Sequence, residues 1–127
     1  MDHEALKISS LVEGMTDDEL AATAELFEES RYLMGDRVTR EADFGYSFFI
    51  VLDGRVQVEV GDEVVAELGA GDHFGEVALV TGDKRNATVK ALETCHLAKI
   101  MTWDFPKLME EHPTLAGRIK ASADARS

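Results

Sequence analysis

Apolar and polar positions divide the chain into a helical entry, a central series of short alternating runs and a helical exit. Residues 2 to 14 carry Leu6, Ile8, Leu11 and Val12 at the spacing of a short helix or helical turn. Thr16 and Glu19 form a capping box, and Met15 with Leu20 fills the staple positions around it. These signals predict a helix from about Asp17 to Glu28, with Leu20, Ala24 and Phe27 on the face that packs on a core.

After Ser30 the period changes to alternation, with β-prone pieces at Arg31 to Met34 and Arg37 to Thr39 around Gly35-Asp36. The run Ser47 to Leu52 is nearly all apolar and too short for a typical helix, so it reads as a strand buried on both faces. Asp53-Gly54 then predicts a two-residue hairpin turn, returning through a strand with Val56, Val58 and Val60 on one face and Arg55, Gln57 and Glu59 on the other. Gly61-Asp62 repeats the device before a strand from Val64 to Leu68, and Gly69 to Asp72 turns the chain again. Strand-like segments follow at His73-Phe74, Ala87 to Ala91 and Cys95 to Ile100.

Thr102 is placed to cap a helix whose inward face is Phe105, Leu108 and Met109. His112-Pro113 should end it, and Pro113 can open a last helix with a narrow stripe of Leu115 and Ile119. The layout predicts an α+β protein: an antiparallel β-roll, barrel or jelly-roll-like, flanked by N-terminal and C-terminal helices. The helices are expected over about 4–30 and 102–123, with the roll over about 31–101.

Composition narrows the class. A length of 127 residues fits one domain, and 45% hydrophobic residues suffice for one core. No apolar run reaches bilayer length, and the N-terminus lacks the features of a secretory signal, so a cytoplasmic location is expected. The lone Cys95 excludes an internal disulfide and reads as a small buried strand residue. With 13 basic against 25 acidic residues, the net charge of -12 disfavours direct nucleic-acid binding. Any phosphate site must therefore be local, built from backbone amides and a well-placed cation.

The stretch Phe74 to Val89 supplies those parts. Gly75 lets backbone approach a ligand, Glu76 can accept hydrogen bonds from sugar hydroxyls, and Val77 to Val80 can form one helical turn with N–H groups free for an anion. Arg85 offers a planar fork suited to phosphate oxygens. Taken singly, Glu76 and Arg85 equally describe a helix-start carboxylate and its salt-bridge partner. His3, His73, His96 and His112 show no metal-ligand spacing, which argues against a cupin-like metal site, and no catalytic residue or cofactor is expected.

The order Phe74-Gly75-Glu76-Val77-Ala78-Leu79, then Arg85-Asn86-Ala87-Thr88-Val89, resembles the phosphate-binding cassette of the cyclic nucleotide-binding domain family. More loosely, LVEGMTDDEL, FIVLDGRVQV and FPKLMEEHPTLA resemble that family's entry helix, central hairpin and following helix. The resemblance implies a cyclic nucleotide in the roll, with Glu76 on the ribose 2′-hydroxyl and Arg85 on the cyclic phosphate. Backbone around Val77, Ala78 and Asn86, with Phe74, Gly75 and Ala87, would complete the site. It implies a regulatory module and no enzyme activity, with partners reached through the C-terminal helices or a homodimer, and either an isolated sensor or one domain of a longer protein. Two positions depart from the pattern. Asn86 replaces the usual small or hydroxyl residue, which favours cyclic AMP over cyclic GMP, and Ala42 stands where a turn glycine is common. Among C-terminal residues, Ile119 is the remaining candidate to cover the base, unless another chain does so, while Trp103 reads as a packing residue. The alternatives are a non-binding scaffold of the same fold and a cupin-like small-molecule enzyme.

Overall fold

The run Phe48 to Val51 ties the two halves of the molecule together. In the computed structural model, which describes residues 1–42, 45–76, 85 and 87–126, all four residues are buried. Phe48 and Ile50 belong to a core shared with the terminal helices, whereas Phe49 and Val51 belong to the core inside the roll. Alternate side chains of a strand point to opposite faces, so a sheet covered on both sides requires the unbroken apolar run seen in the sequence.

The strands are β1 (Glu28–Tyr32), β2 (Arg37–Thr39), β3 (Ser47–Asp53), β4 (Val56–Val60), β5 (Glu63–Leu68), β6 (His73–Phe74), β7 (Thr88–Ala91) and β8 (Cys95–Met101). Among the described residues they form two four-stranded antiparallel sheets, ordered β1-β8-β3-β6 and β2-β7-β4-β5. The sheets enclose Phe49, Phe74, Val89 and Leu97, giving the expected α+β jelly roll.

The Asp53-Gly54 turn is not the hairpin that the sequence suggests. β3 and β4 lie in different sheets, and no pairing joins them. Asp53 still pairs with His96 on β8, whereas Val56 pairs with Ala91 on β7. Between them Gly54 takes φ +92°, and a Cβ there would lie 2.7 Å from the Thr94 carbonyl oxygen. The same positive φ that makes a hairpin turn serves here as a corner, where β3-β4 and β7-β8 fold over together. The second device is a true hairpin: Val60 pairs with Glu63 across Gly61-Asp62, with a register shift after Val58.

The entry helix α1 (Asp17–Ala24) begins with the predicted capping box, Thr16 and Glu19 each holding the other's backbone N–H. It ends sooner than its periodicity predicts, and the roll begins at Glu28 rather than near residue 31. All five residues of β1 pair with β8, so strand pairing overrides the helix-forming tendency of Glu28 and Glu29. Phe27 is buried as expected, although it lies beyond the helix. Residues 2–14 form two 3₁₀ segments, His3–Ile8 and Ser10–Val12, which bury Leu6, Leu11 and Val12.

At the other end, a 3₁₀ turn Thr102–Asp104 leads into α2 (Phe105–Glu111) and α3 (Pro113–Arg126). Thr102 caps neither element: its hydroxyl is buried and makes no hydrogen bond, because the 3₁₀ turn displaces the start of α2 by three residues. Pro113 opens α3 as expected, and α3 continues through the apolar-poor tail to Arg126. Leu115, Ala116, Ile119 and Ala123 are buried in it, while Arg118 donates to the carbonyls of Leu11 and Glu13 at 2.8 and 2.7 Å. Arg118 thereby ties the two ends of the chain together. No described helix is long and apolar enough to cross a membrane.

Candidate nucleotide-binding site

The site forms where β6 ends. Phe74 stacks on Phe49 at a centroid distance of 5.0 Å, so its ring is spent on the roll core and fixes where the next residues emerge. Gly75 follows at φ +90°, and a Cβ there would lie 2.6 Å from Nη1 of Arg85 and 2.9 Å from the Ser47 carbonyl oxygen. Here the glycine makes room for the arginine. Any side chain at that φ and in that space would be strained.

Arg85 reaches back across the roll. Nη1 donates to the Gly75 carbonyl at 3.2 Å, and Nη2 donates to the Ser47 carbonyl. Gly45 closes the other side, since a Cβ there would fall 2.2 Å from Nε. The Arg85 carbonyl accepts from Ala42 N–H at 2.9 Å. Ala42 adopts φ +70°, so the loop keeps the left-handed turn despite lacking the glycine that turn favours. A guanidinium carries five N–H donors, so these two contacts leave donors for a ligand.

Arg85 is 9% exposed and Glu76 is 1% exposed. Burial lowers the Arg85 pKa, and the charge of Glu76 opposes that shift. An arginine retains its proton in either case, so a buried positive fork stands beside a buried carboxylate. Among the described residues no close ion pair joins the two, although the Glu76 charge still acts on Arg85. Their coupling acts through space, in a site where low dielectric strengthens it.

Ala87 precedes β7 rather than beginning it, and its carbonyl accepts from the Thr39 hydroxyl at 3.2 Å. That hydroxyl also accepts from Val89 N–H, which anchors the segment returning from Arg85. Val77, Ala78 and Asn86, along with the expected helical turn Val77 to Val80, lie outside the described residues. Two contributors escaped the sequence reading. Gly45 was visible as a glycine, but its partner was not. Ser47 acts through a backbone carbonyl, which no residue type announces.

Ile119 does not cover the site. It is fully buried in the helical core with Phe48 and Ile100, because the α3 stripe packs on the outer face of the sheet. Trp103 is 66% exposed and lies 6.5 Å from Tyr46, which makes it a surface packing residue. His3, Glu4 and Asp17 place potential metal-ligand atoms within 4.8 Å of one another. However, Lys7 already stands 3.0 Å from both carboxylates, and its ammonium repels a cation.

The cyclic nucleotide-binding domain family matches residues 29–112, covering both sheets and α2. The chain belongs to this family. It is 39% identical over 89 residues to a cyclic nucleotide-gated potassium channel of Rhizobium etli, covering 70% of this chain and 25% of the channel. It is 32% identical over 110 residues to the cAMP-dependent protein kinase regulatory subunit of Debaryomyces hansenii, covering 86% of this chain and 24% of that protein. The chain thus spans about a quarter of the length of these curated relatives. The regulatory domain of Toxoplasma gondii PKA, solved with cAMP, superposes with a TM-score of 0.82 at 26% identity. That alignment covers 97% of this chain and 48% of the other. The family is a regulatory, ligand-binding domain and not a catalytic one.

Proposed function

We propose that this domain binds a 3′,5′-cyclic nucleotide, cyclic AMP in preference to cyclic GMP, and passes the binding event to its C-terminal helices. The observation that carries the reading is the convergence at one point of a buried arginine, a positive-φ glycine and a buried glutamate. Arg85 meets the cyclic phosphate with its remaining donors, and Glu76 accepts from the ribose 2′-hydroxyl. Val77, Ala78, Asn86 and Ala87 complete the phosphate shell from their backbone. The preference for cyclic AMP rests on Asn86 in place of a hydroxyl residue. The kinase regulatory-subunit relative and the PKA domain solved with cAMP support a cyclic nucleotide as the ligand.

A ligand can shift a conformational equilibrium only by binding one state more tightly. The route to the helices starts at β6, which runs directly into Gly75 and Glu76. His73 on that strand lies 2.8 Å from the Ser122 hydroxyl of α3, so a shift of β6 is felt by the last helix. The output acts on an effector domain or partner joined through α3, or on a second copy of the chain.

Calorimetric titration with cyclic AMP and cyclic GMP tests the reading. Saturable heat is expected, tighter for cyclic AMP, with Arg85→Ala weakening it by about tenfold or more at unchanged fold. Absence of binding at millimolar ligand would overturn it. One observation favours a second reading, a non-binding scaffold of the same fold. Arg85 already donates to two backbone carbonyls and so has a structural task independent of ligand. Under that reading Arg85→Ala lowers the melting temperature and no nucleotide raises it.

A further inference from the structure

The N-terminal segment folds so that a groove stays open beside α1. Its two 3₁₀ segments meet at Ser9, whose extended backbone (φ -90°, ψ 134°) breaks the helical path. Ser9 is buried and its hydroxyl accepts from Leu11 N–H at 3.2 Å, which holds the break in place. Gly14 then turns the chain at φ +82°, with nothing within 4 Å of its Cβ position, and α1 starts from the capped Thr16. Between these pieces lies a cavity of about 420 Å³, within the size range of ligand pockets. None of Gly45, Ser47, Gly75, Glu76 and Arg85 lines it, so it is separate from the nucleotide site.

The floor of the groove is apolar. Val12 is 4% exposed and Leu20 1%, and Met15 packs beside them on the helical core. At the rim, Ile8 is 47% exposed. An aliphatic side chain left half in water at the mouth of an apolar groove gains free energy when it is covered.

Charge selects what covers it. Residues 1–30 hold nine carboxylates against one lysine, so this end carries most of the net charge of -12. Glu13 lines the groove and is exposed, and Asp17 stands at its edge beside Lys7. The Lys7 ammonium lies 3.0 Å from both Asp17 and Glu4, so it neutralises at most one of them. Such a rim repels an anionic lipid surface, a nucleic acid and a second copy of the same charge, and attracts a cationic segment.

From this arrangement we infer that the groove docks a basic amphipathic helix of a partner protein. An aliphatic anchor sits against Ile8, Val12, Met15 and Leu20, and Lys or Arg side chains meet Glu13 and Asp17. Apolar burial supplies affinity, while the acidic rim sets orientation and partner choice. Arg118 ties the carbonyls of Leu11 and Glu13 to α3, so the docked helix bears on the element that His73 connects to β6. Docking itself does not depend on nucleotide.

The probe is the peptide acetyl-LKKLLKLLKKLLKL-amide, labelled for fluorescence anisotropy and titrated with the full chain at constant ionic strength. One peptide per chain is expected, with NMR amide shifts confined to the groove and its rim. Ile8→Ser leaves every charge in place and should weaken binding about fivefold. The Glu13→Gln, Asp17→Asn double variant keeps the apolar floor and should weaken it about threefold or more; it carries the test if Ile8→Ser fails to fold. A peptide with serine at every leucine position keeps the charge and should bind about tenfold more weakly or worse. Absence of peptide binding, equal affinity for the two peptides, or equal affinity of wild type and both variants would overturn the inference, as would amide shifts spread over the whole acidic surface. A dimer of the chain that Ile8→Ser dissociates would also overturn it, by placing a second copy in the groove. A chain that docks the peptide here but binds no cyclic nucleotide would refute the proposed function and leave this inference standing.

Discussion

Replacing Gly45 by alanine is expected to weaken nucleotide binding while nearly preserving the fold. The added Cβ would lie 2.2 Å from Nε, 2.4 Å from Cζ and 2.8 Å from Cδ of Arg85. All three atoms belong to one flexible side chain, so the clash is relieved by moving the guanidinium and not the backbone. Once displaced, Arg85 cannot hold the carbonyls of both Gly75 and Ser47 or meet an anion at the same point. A hydrogen bond to a charged group contributes about 1.5–3 kcal/mol, so two lost bonds set an upper limit of about 3–6 kcal/mol. Renewed hydration of the arginine offsets much of that, and the stiffer unfolded chain returns about 0.4–1 kcal/mol. A net stability loss of about 1–2 kcal/mol, or a few degrees in melting temperature, is expected. Losing a phosphate contact of similar strength corresponds to about ten- to a hundredfold in affinity. The assay is a cyclic AMP titration paired with a thermal melt. Gly69→Ala serves as control, because its Cβ would have no neighbour within 4 Å. Wild-type affinity in Gly45→Ala would refute the argument that Arg85 must be held at this spot. Gly75→Ala should lose both stability and binding, since its Cβ also meets the Ser47 carbonyl oxygen at 2.9 Å from a φ of +90°.

Three further outcomes follow from the framework around the site. Gly117 lies exposed inside α3 with open space at its Cβ position, so Gly117→Ala should raise stability by about 0.5–1 kcal/mol in a urea melt. Thr16→Ala removes the hydroxyl that accepts from Glu19 N–H and should cost about 1 kcal/mol by the same measurement. Burial raises the Cys95 pKa, so the folded state holds its proton to higher pH than the unfolded state. The stability linked to this group is complete below the unfolded thiol pKa and is lost as pH rises through the folded one. Melting temperature should therefore fall more steeply above about pH 8.5 in the wild type than in Cys95→Ala. Parallel profiles would remove burial of the thiol as the cause. Tyr32, also raised by burial, is common to both proteins and cancels in the comparison.

The sequence by itself determined what short-range chemistry can specify. The Thr16-Glu19 capping box, the Gly61-Asp62 hairpin and the start of α3 at Pro113 were legible because each is decided within a few residues. The doubly buried β3 was equally legible, since an unbroken apolar run has one economical reading as a strand. Tertiary structure decided the features that depend on distant partners. It ended α1 at Ala24 by pairing Glu28 to Tyr32 with β8, and it made Asp53-Gly54 a corner between sheets. Ile119 went to the helical core, away from the site. The same division runs through the candidate site. Glu76 and Arg85 announced themselves by residue type, while their setting came from Gly45 and the Ser47 carbonyl, about 40 positions before Arg85. A carbonyl acceptor and the room left by a missing Cβ carry no sequence signature of their own. Only folding brings them against the guanidinium.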